Sequence, residues 1–187
     1  MTSRVVEVSP ERLAGWLERF AAQNSGPDAP QCIVAQERFD HEPLAVVLIR
    51  RGGYAVGLAR GGAFTESKVG TRHVQSRTAA GGWSQQRFAR RRGNQADELV
   101  RAVADHALRL LPRGIPAAVV VGGDKALVRA VLDDPRLAHL SAVPRRELFD
   151  LPDPRRAVLE DALRRGRAVR VTVEDDAGPA ARALPVD

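Results

Sequence analysis

Short apolar runs punctuated by glycine pairs most constrain how this chain can fold. The runs cover residues 32–35, 44–49 and 54–58. Gly52-Gly53 and Gly61-Gly62 follow the second and third runs. Apolar runs of this length bounded by glycine are typical of strands joined by tight hairpin turns. We therefore expect a β-meander over this part of the chain, with a fourth strand over residues 63–74.

The second half of the chain alternates between helical and strand patterns. Leu99, Val103, Ala107 and Leu110 recur at helical spacing and predict a long amphipathic helix over residues 83–111. The predicted elements after it are a buried strand over 116–121, a helix over 125–132, a weak strand over 137–143, a helix over 153–165 and a last strand over 168–173. Alternation of this kind predicts an α/β fold, with a mixed sheet and flanking helices.

The N-terminal segment predicts an extra helix outside this pattern. Ser9 is a good N-cap and Pro10 suits the first helical position, so the helix is expected over residues 9–24. The predicted organisation is an N-terminal helix and loop over residues 1–30, a main domain over 31–174 and a flexible tail over 175–187.

Composition excludes several classes of protein. Cys32 is the single cysteine, so no intramolecular disulfide can form. The N-terminus lacks a basic-then-apolar signal pattern, and no apolar run approaches the length of a membrane span. Aromatic residues make up 4% of the chain, which disfavours a binding mode based on base stacking. A cytoplasmic location without membrane attachment is expected.

One segment, residues 68–92, concentrates the positive charge. It contains no carboxylate, and the whole chain carries a net charge of +6, so the remainder sums to −1. Its seven cations are Lys68, Arg72, Arg77, Arg87, Arg90, Arg91 and Arg92. A local positive field around a polar turn is typical of a loop that enters RNA.

The turn at the centre of this segment, Gly81-Gly82, is the first candidate site. A glycine turn before a helix leaves backbone N–H groups unpaired and able to meet a phosphate or an oxyanion. Arg87, Arg90 and Arg91 follow at spacings that place them on one helix face. Arg72, His73 and Arg77 approach the turn from the other side. The alternative interpretation is a flexible turn whose Gln and Arg side chains only coat a helix surface.

Gln85 and Gln86 suggest what chemistry the turn could perform. A glutamine amide does not titrate near neutral pH, so it cannot act as a general base. It can donate and accept hydrogen bonds at once, which suits it to hold a water molecule against an ester carbonyl. Backbone N–H groups beside it could stabilise the developing oxyanion. The residues therefore favour hydrolysis of an activated ester by positioning.

Other sites have weaker support. His41, His73, His106 and His139 are scattered without metal-ligand spacing, and His106 is expected to pack within a helix. The cluster Asp40-His41-Glu42 is expected to be a loop charge cluster rather than a metal site. Gly122-Gly123-Asp124-Lys125 does not match the P-loop spacing, and a plain strand-to-helix turn with Asp124 as N-cap is favoured over a phosphate site.

The sequence GGWSQQRFARRR, which begins at Gly81, resembles the catalytic tip of the middle domain of eukaryotic and archaeal class I release factors. That domain carries a Gly-Gly-Gln loop followed by an Arg-Phe-Ala-Arg helix start, and Trp83 stands here in place of its glutamine. The chain is more similar to the Vms-like release factor family, whose tip reads Gly-x-x-Gln, here Gly82 to Gln85. Residues 68–75 resemble its bacterial, actinobacterial-type branch, and the similarity covers roughly residues 44–163.

The resemblance implies a ribonuclease-H-like α/β fold without a nuclease site, and it identifies residues 31–174 as the catalytic domain. It implies hydrolysis of the ester between a nascent peptide and tRNA on stalled large ribosomal subunits, independently of a stop codon. Gln85 would then position the water, with Gln86 as the rival, while Gly81 and Gly82 let the tip enter the peptidyl-transferase centre.

The implied RNA contacts are to rRNA or to the tRNA acceptor end. They would be made by Arg72, His73, Arg77, Ser84, Arg87, Arg90, Arg91 and Arg92. No metal or cofactor is expected, and the protein is expected to be a monomer. The alternative function is a non-catalytic factor of the same fold that binds the ribosome or RNA.

Overall fold

The computed structural model describes residues 2–26, 29–71 and 95–175 in full, and residues 84–94 by their backbone alone. The strands in this part of the chain are β1 (Ser3–Val8), β2 (Gln31–Glu37), β3 (Leu44–Arg50), β4 (Gly53–Arg60), β5 (Ala63–Thr71), β6 (Ala118–Gly123), β7 (Arg145–Leu148) and β8 (Val169–Asp175). The α-helices are α1 (Leu13–Gln23), α2 (Ser84–Leu110), α3 (Lys125–Leu132), α4 (Ala138–Ser141) and α5 (Arg156–Arg167).

The chain divides into two compact units. One comprises Met1–Asp40 together with Arg167–Asp187, and the other comprises His41–Gly166. The larger unit contains a five-stranded sheet in the order β5-β4-β3-β6-β7. β3, β4 and β5 pair antiparallel, whereas β3 with β6 and β6 with β7 pair parallel. The sheet is therefore mixed, as predicted, and the expected meander after residue 44 is confirmed.

Helices cover both faces of this sheet. On one face, residues of β3, β4 and β6 pack against α2, α3 and the short helical segments after α3; they include Val47, Ile49, Val56, Val121, Leu99, Val103 and Val128. On the other face, α5 approaches β6 closely, because a Cβ added at Gly166 would lie 2.5 Å from Cγ2 of Val120. The architecture is α/β with flanking helices, consistent with a ribonuclease-H-like release-factor domain.

A β-bulge interrupts the pairing of β4 with β5. Leu58 lies opposite Glu66 whereas Ala59 lies opposite Phe64, so Thr65 is the extra residue. The Thr65 hydroxyl donates a hydrogen bond of 3.0 Å to the carbonyl oxygen of Leu58. Side chains alternate between the faces of a sheet, so one extra residue reverses the face of every residue after it.

The smaller unit is a three-stranded antiparallel sheet, in the order β1-β8-β2, packed against α1. Val169, Val171 and Val173 of β8 lie at the centre of its core, with Leu13, Trp16, Leu17 and Phe20 from the helix. The predicted N-terminal helix is present, and it opens with a 3₁₀ turn (Pro10–Arg12) that has Ser9 at its N-cap position.

Two expectations about the strands were wrong, and one strand was missed. The run at residues 32–35 forms β2 but pairs with β8 rather than with the meander. Residues 137–143 are largely helical, and β7 follows at Arg145–Leu148. Leu137 and Leu140 both face the core at a spacing of three, which fits a helical turn better than a strand. β1 was not predicted, since its apolar content is only Val5, Val6 and Val8.

None of the helices in the described ranges is both long and apolar enough to cross a membrane.

The turn between β6 and α3 is a plain strand-to-helix connection, as predicted. Gly123 has φ +105°, a conformation that favours glycine, and Asp124 is the N-cap of α3. The Asp124 carboxylate accepts hydrogen bonds from the N–H groups of Ala126 at 2.9 Å and Leu127 at 3.3 Å. Asp124 therefore satisfies two of the N–H groups that the start of a helix leaves free.

Replacing this cap tests its structural role. We expect Asp124→Ala to lower the free energy of unfolding by about 1 kcal/mol, because both N–H groups lose their acceptor. Asp124→Asn keeps an accepting oxygen and should cost at most a few tenths of that amount. Urea denaturation of the two variants measures the difference. Equal stability of Asp124→Ala and wild type would show that the cap contributes nothing.

Candidate functional site

One end of the five-stranded sheet is where the chain leaves β5 for the glycine turn. At this end Thr71 pairs with Gly53, Gly53 pairs with Arg50, and Ile49 pairs with Gly123. Thr71, the last residue of β5, therefore lies beside the β3–β4 turn. The end of β6 lies one row before it, in line with Gly70. The candidate site begins at this end of the sheet.

The residues predicted to form the tip lie at or beyond the limit of the described chain. Gly81, Gly82, Arg72, His73 and Arg77 fall outside the described residues. The other predicted site residues belong to the first three turns of α2, where the backbone alone is described: Ser84, Gln85, Gln86, Arg87, Arg90, Arg91 and Arg92. Their roles stay predictions.

Helix α2 carries the second half of the basic segment. Its 27 residues correspond to about 40 Å of helix. Among the fully described residues of α2, Ala96 is the first that packs against the core. Ser84, where the helix begins, lies 12 residues before Ala96, which is about 18 Å along the helix axis. Gln85 and Gln86 stand in the first turn, where backbone N–H groups have no partner within the helix.

Tyr54, Gly70 and His106 bring β4, β5 and α2 into contact near the end of β5. Tyr54 on β4 lies directly opposite Gly70 on β5, and its ring occupies the space where a Gly70 Cβ would be. The same ring stacks on His106 of α2, with centroids 5.2 Å apart and an interplanar angle of 21°. A residue that immediately precedes Thr71 is thus tied to the long helix through one tyrosine.

His106 sits among positive charges. Burial lowers its pKa, and the nearby charges of Arg109 and Lys68 lower it further, while Asp105 acts in the opposite direction. Nη2 of Arg109 lies 2.5 Å from Nδ1 of His106. Burial also raises the pKa of the Tyr54 hydroxyl. The charged form of His106 is therefore disfavoured. Its stacking on Tyr54 confirms the expectation that this histidine of α2 is packed.

The weaker candidates have structural roles. Asp40 pairs with Arg38 at 3.8 Å, and the Glu42 carboxylate accepts a hydrogen bond from the N–H of Gly61. Nε2 of His139 lies 2.9 Å from the carbonyl oxygen of Leu111. Within the described ranges, no group of three His, Cys, Asp or Glu side chains could hold a metal ion.

Sequence reasoning missed the Tyr54–Gly70–His106 contact. Counting outwards from the Gly61-Gly62 turn would place Val69, not Gly70, opposite Tyr54. The bulge at Thr65 shifts the register by one residue and creates the pair. No signal in the sequence alone marks that shift.

The close approach of Tyr54 to Gly70 can be tested by substitution. We expect Gly70→Ala to lower the free energy of unfolding by roughly 1–3 kcal/mol, because the added methyl group overlaps the tyrosine ring. In a Tyr54→Ala background the same change should cost much less, which a double-mutant cycle with chemical denaturation measures. Additive effects of the two substitutions would contradict the contact.

Comparison with known proteins agrees with this geometry. A family model described as the Actinobacteria/chloroflexi VLRF1 release factor matches residues 42–172, which is more than half of the chain. The matched range contains the five-stranded sheet, α2 and the predicted tip. No curated protein matched. A release-factor domain supports a role in release or rescue at the ribosome. The chain belongs to the Actinobacteria/chloroflexi VLRF1 release factor family.

Proposed function

We propose that the protein is a peptidyl-tRNA hydrolase that releases nascent chains from stalled large ribosomal subunits without reading a stop codon. The observation that carries the proposal is the position of the sequence Gly82 to Gln85 relative to helix α2 and strand β5. It ends in the first turn of a 27-residue helix, and the described strand that precedes this helix along the chain is the edge strand β5, in a domain of a release-factor family.

The proposed mechanism is catalysis by positioning. Gln85 holds a water molecule against the carbonyl carbon of the ester that joins the peptide to the terminal ribose of tRNA. Water adds to that carbon, the bond to the ribose oxygen breaks, and the ribose hydroxyl recovers a proton while the peptide leaves as a carboxylate. Backbone N–H groups at the start of α2 stabilise the oxyanion, a contribution on the order of 10²–10³ in rate for one donor.

The wider assignments follow from this reaction. The release-factor-like catalytic domain is assigned to residues 31–174, which cover the larger unit together with β2 and most of β8 from the smaller unit. The cations before and after the turn contact rRNA or the tRNA acceptor end. The reaction as written needs no metal or cofactor. We propose a cytoplasmic location, where ribosomes act, and a monomer as the active form.

The first test compares glutamine variants in a release assay. We expect Gln85→Ala to reduce peptide release from peptidyl-tRNA on isolated large subunits by 100-fold or more, on the order of the loss of one transition-state donor. Gln86→Ala distinguishes the two adjacent glutamines. Gln95→Ala, an exposed glutamine on the same helix, is the matched control and should leave release unchanged.

Three outcomes separate the candidate functions. Loss of release in Gln85→Ala alone supports the assignment, whereas loss in Gln86→Ala alone moves the role by one residue. Absence of release by wild type, with ribosome binding intact, would falsify the hydrolase and favour the non-catalytic ribosome-binding factor.

A second test addresses the arginines of α2. We expect neutralisation of Arg90, Arg91 and Arg92 together to flatten the salt dependence of ribosome binding, by roughly 0.7–0.9 in the logarithmic slope for each phosphate contact removed. Arg129, an exposed residue of α3 that pairs with Asp133 at 3.8 Å, provides the control. An unchanged slope in the triple variant would show that these residues only coat the helix.

A further inference from the structure

A second group of cations lies where α2 crosses the edge strand β5, within the part of the chain described in full. Lys68 on β5 and Arg109 on α2 are both exposed, and both lie close enough to His106 to lower its pKa. Among the described residues, neither cation forms an ion pair with a carboxylate. We name Lys68, His106 and Arg109 the edge cluster.

The one hydrogen-bond acceptor of the edge cluster, Nδ1 of His106, is used within the cluster. An arginine side chain has no acceptor, so the contact between Arg109 and Nδ1 of His106 requires Nδ1 to accept. The proton of the neutral ring is then on Nε2. The cluster therefore offers an ammonium group, a guanidinium group and an imidazole N–H, with no acceptor left free.

The carboxylate that acts on His106 is Asp105. It raises the pKa of His106, and its effect is the smallest of the charge effects on that ring. Oδ1 of Asp105 lies 2.9 Å from Nη1 of Arg136, which also pairs with Asp134 at 2.8 Å. Arg136 is thus shared between two carboxylates and offsets the charge of Asp105 in part. Lys68 and Arg109 together outweigh this one partly offset charge, so the edge cluster keeps a positive field.

The edge cluster also lies close to the route of the chain into the tip. Lys68 precedes Thr71 by three residues, which is about 10 Å along an extended strand. Its side chain is on the α2 face of the sheet, because it lies opposite Val56, whose side chain packs in the core on that face.

We propose that the edge cluster binds a backbone phosphate of the RNA that surrounds the tip. A phosphodiester accepts hydrogen bonds and carries one negative charge, so it matches three donors that have no carboxylate partner. This inference rests on the proposed function, which brings the tip into ribosomal RNA. It adds a contact at the base of the tip, on residues outside the predicted set.

Phosphate binding at the edge cluster should be accompanied by proton uptake at His106. In the free protein Arg109 and Lys68 disfavour the charged imidazole, with Tyr54 stacked against the ring and Asp105 as the opposing charge. A bound phosphate draws the Arg109 guanidinium away from Nδ1 and favours the charged form of the ring, so the pKa of His106 rises on binding and Nδ1 takes up a proton. Binding should then tighten as the pH falls from 8 to 6, by at most tenfold per pH unit for one proton.

The test measures the salt and pH dependence of binding to isolated large ribosomal subunits that carry peptidyl-tRNA. We expect Lys68→Gln with Arg109→Gln to lower the logarithmic salt slope by roughly 0.7–0.9, the value for one lost phosphate contact. His106→Phe keeps a ring against Tyr54 and should remove the pH dependence. Lys125→Gln and Arg113→Gln are matched controls, since both cations are exposed and lie outside the edge cluster.

The outcomes distinguish this inference from the proposed function. A reduced slope in the double variant with unchanged slopes in both controls supports the edge cluster. An unchanged slope in the double variant, while wild type still binds and releases peptide, overturns the edge cluster and leaves the hydrolase intact. Failure of wild type to bind these subunits overturns both. Thermal unfolding of each variant shows whether an effect comes from misfolding.

Discussion

Burial of β3 between β4 and β6 is the interaction on which the larger unit depends. All six residues from Leu44 to Ile49 are at most 1% exposed, so both faces of the strand are covered. A strand buried on both faces needs helices above and below it. α2 and α3 supply one layer and α5 supplies the other. β4 pairs with this buried strand, and β5, which leads to the tip, pairs with β4.

Elements with a strong pattern were predictable from sequence. β3, β4 and β6 are continuous apolar runs, and α2 repeats Leu99, Val103, Ala107 and Leu110 over several turns. The pattern failed where it was short. In residues 137–143, only Leu137 and Leu140 are buried in the core. A segment this short, with two buried leucines, fits a strand or a helical turn equally well.

Pairing partners were less predictable than the strands themselves. The apolar run in β2 is of the same type as the run in β3. Among the residues of β2, however, only Ile33 packs in the core of the smaller unit. Its partner β8 is more than 130 residues away, and local turn signals cannot reveal such a pairing. The candidate tip was predictable only as a motif, because the chemistry of Gly82 to Gln85 depends on a family pattern rather than on packing.

The cations of the described chain differ in whether they pair with a carboxylate. On α5 and around α3 the guanidinium groups are paired with carboxylates, as in Arg156 with Glu160 at 2.8 Å and Arg165 with Asp150 at 2.9 Å. Near the end of β5, Lys68 and Arg109 lack carboxylate partners among the described residues. Net charge alone does not show this division; the placement of acidic residues creates it.

The bulge at Thr65 determines which side chains of β5 face α2. If Thr65 instead paired regularly with Leu58, Ser67 and Val69 would face α2, Lys68 would point to the α5 side, and Gly70 would no longer lie beneath Tyr54. Thr71 would also face the opposite side of the sheet. The face on which the last residues of β5 lie is therefore set by the bulging of one residue, about 20 Å before the end of the strand.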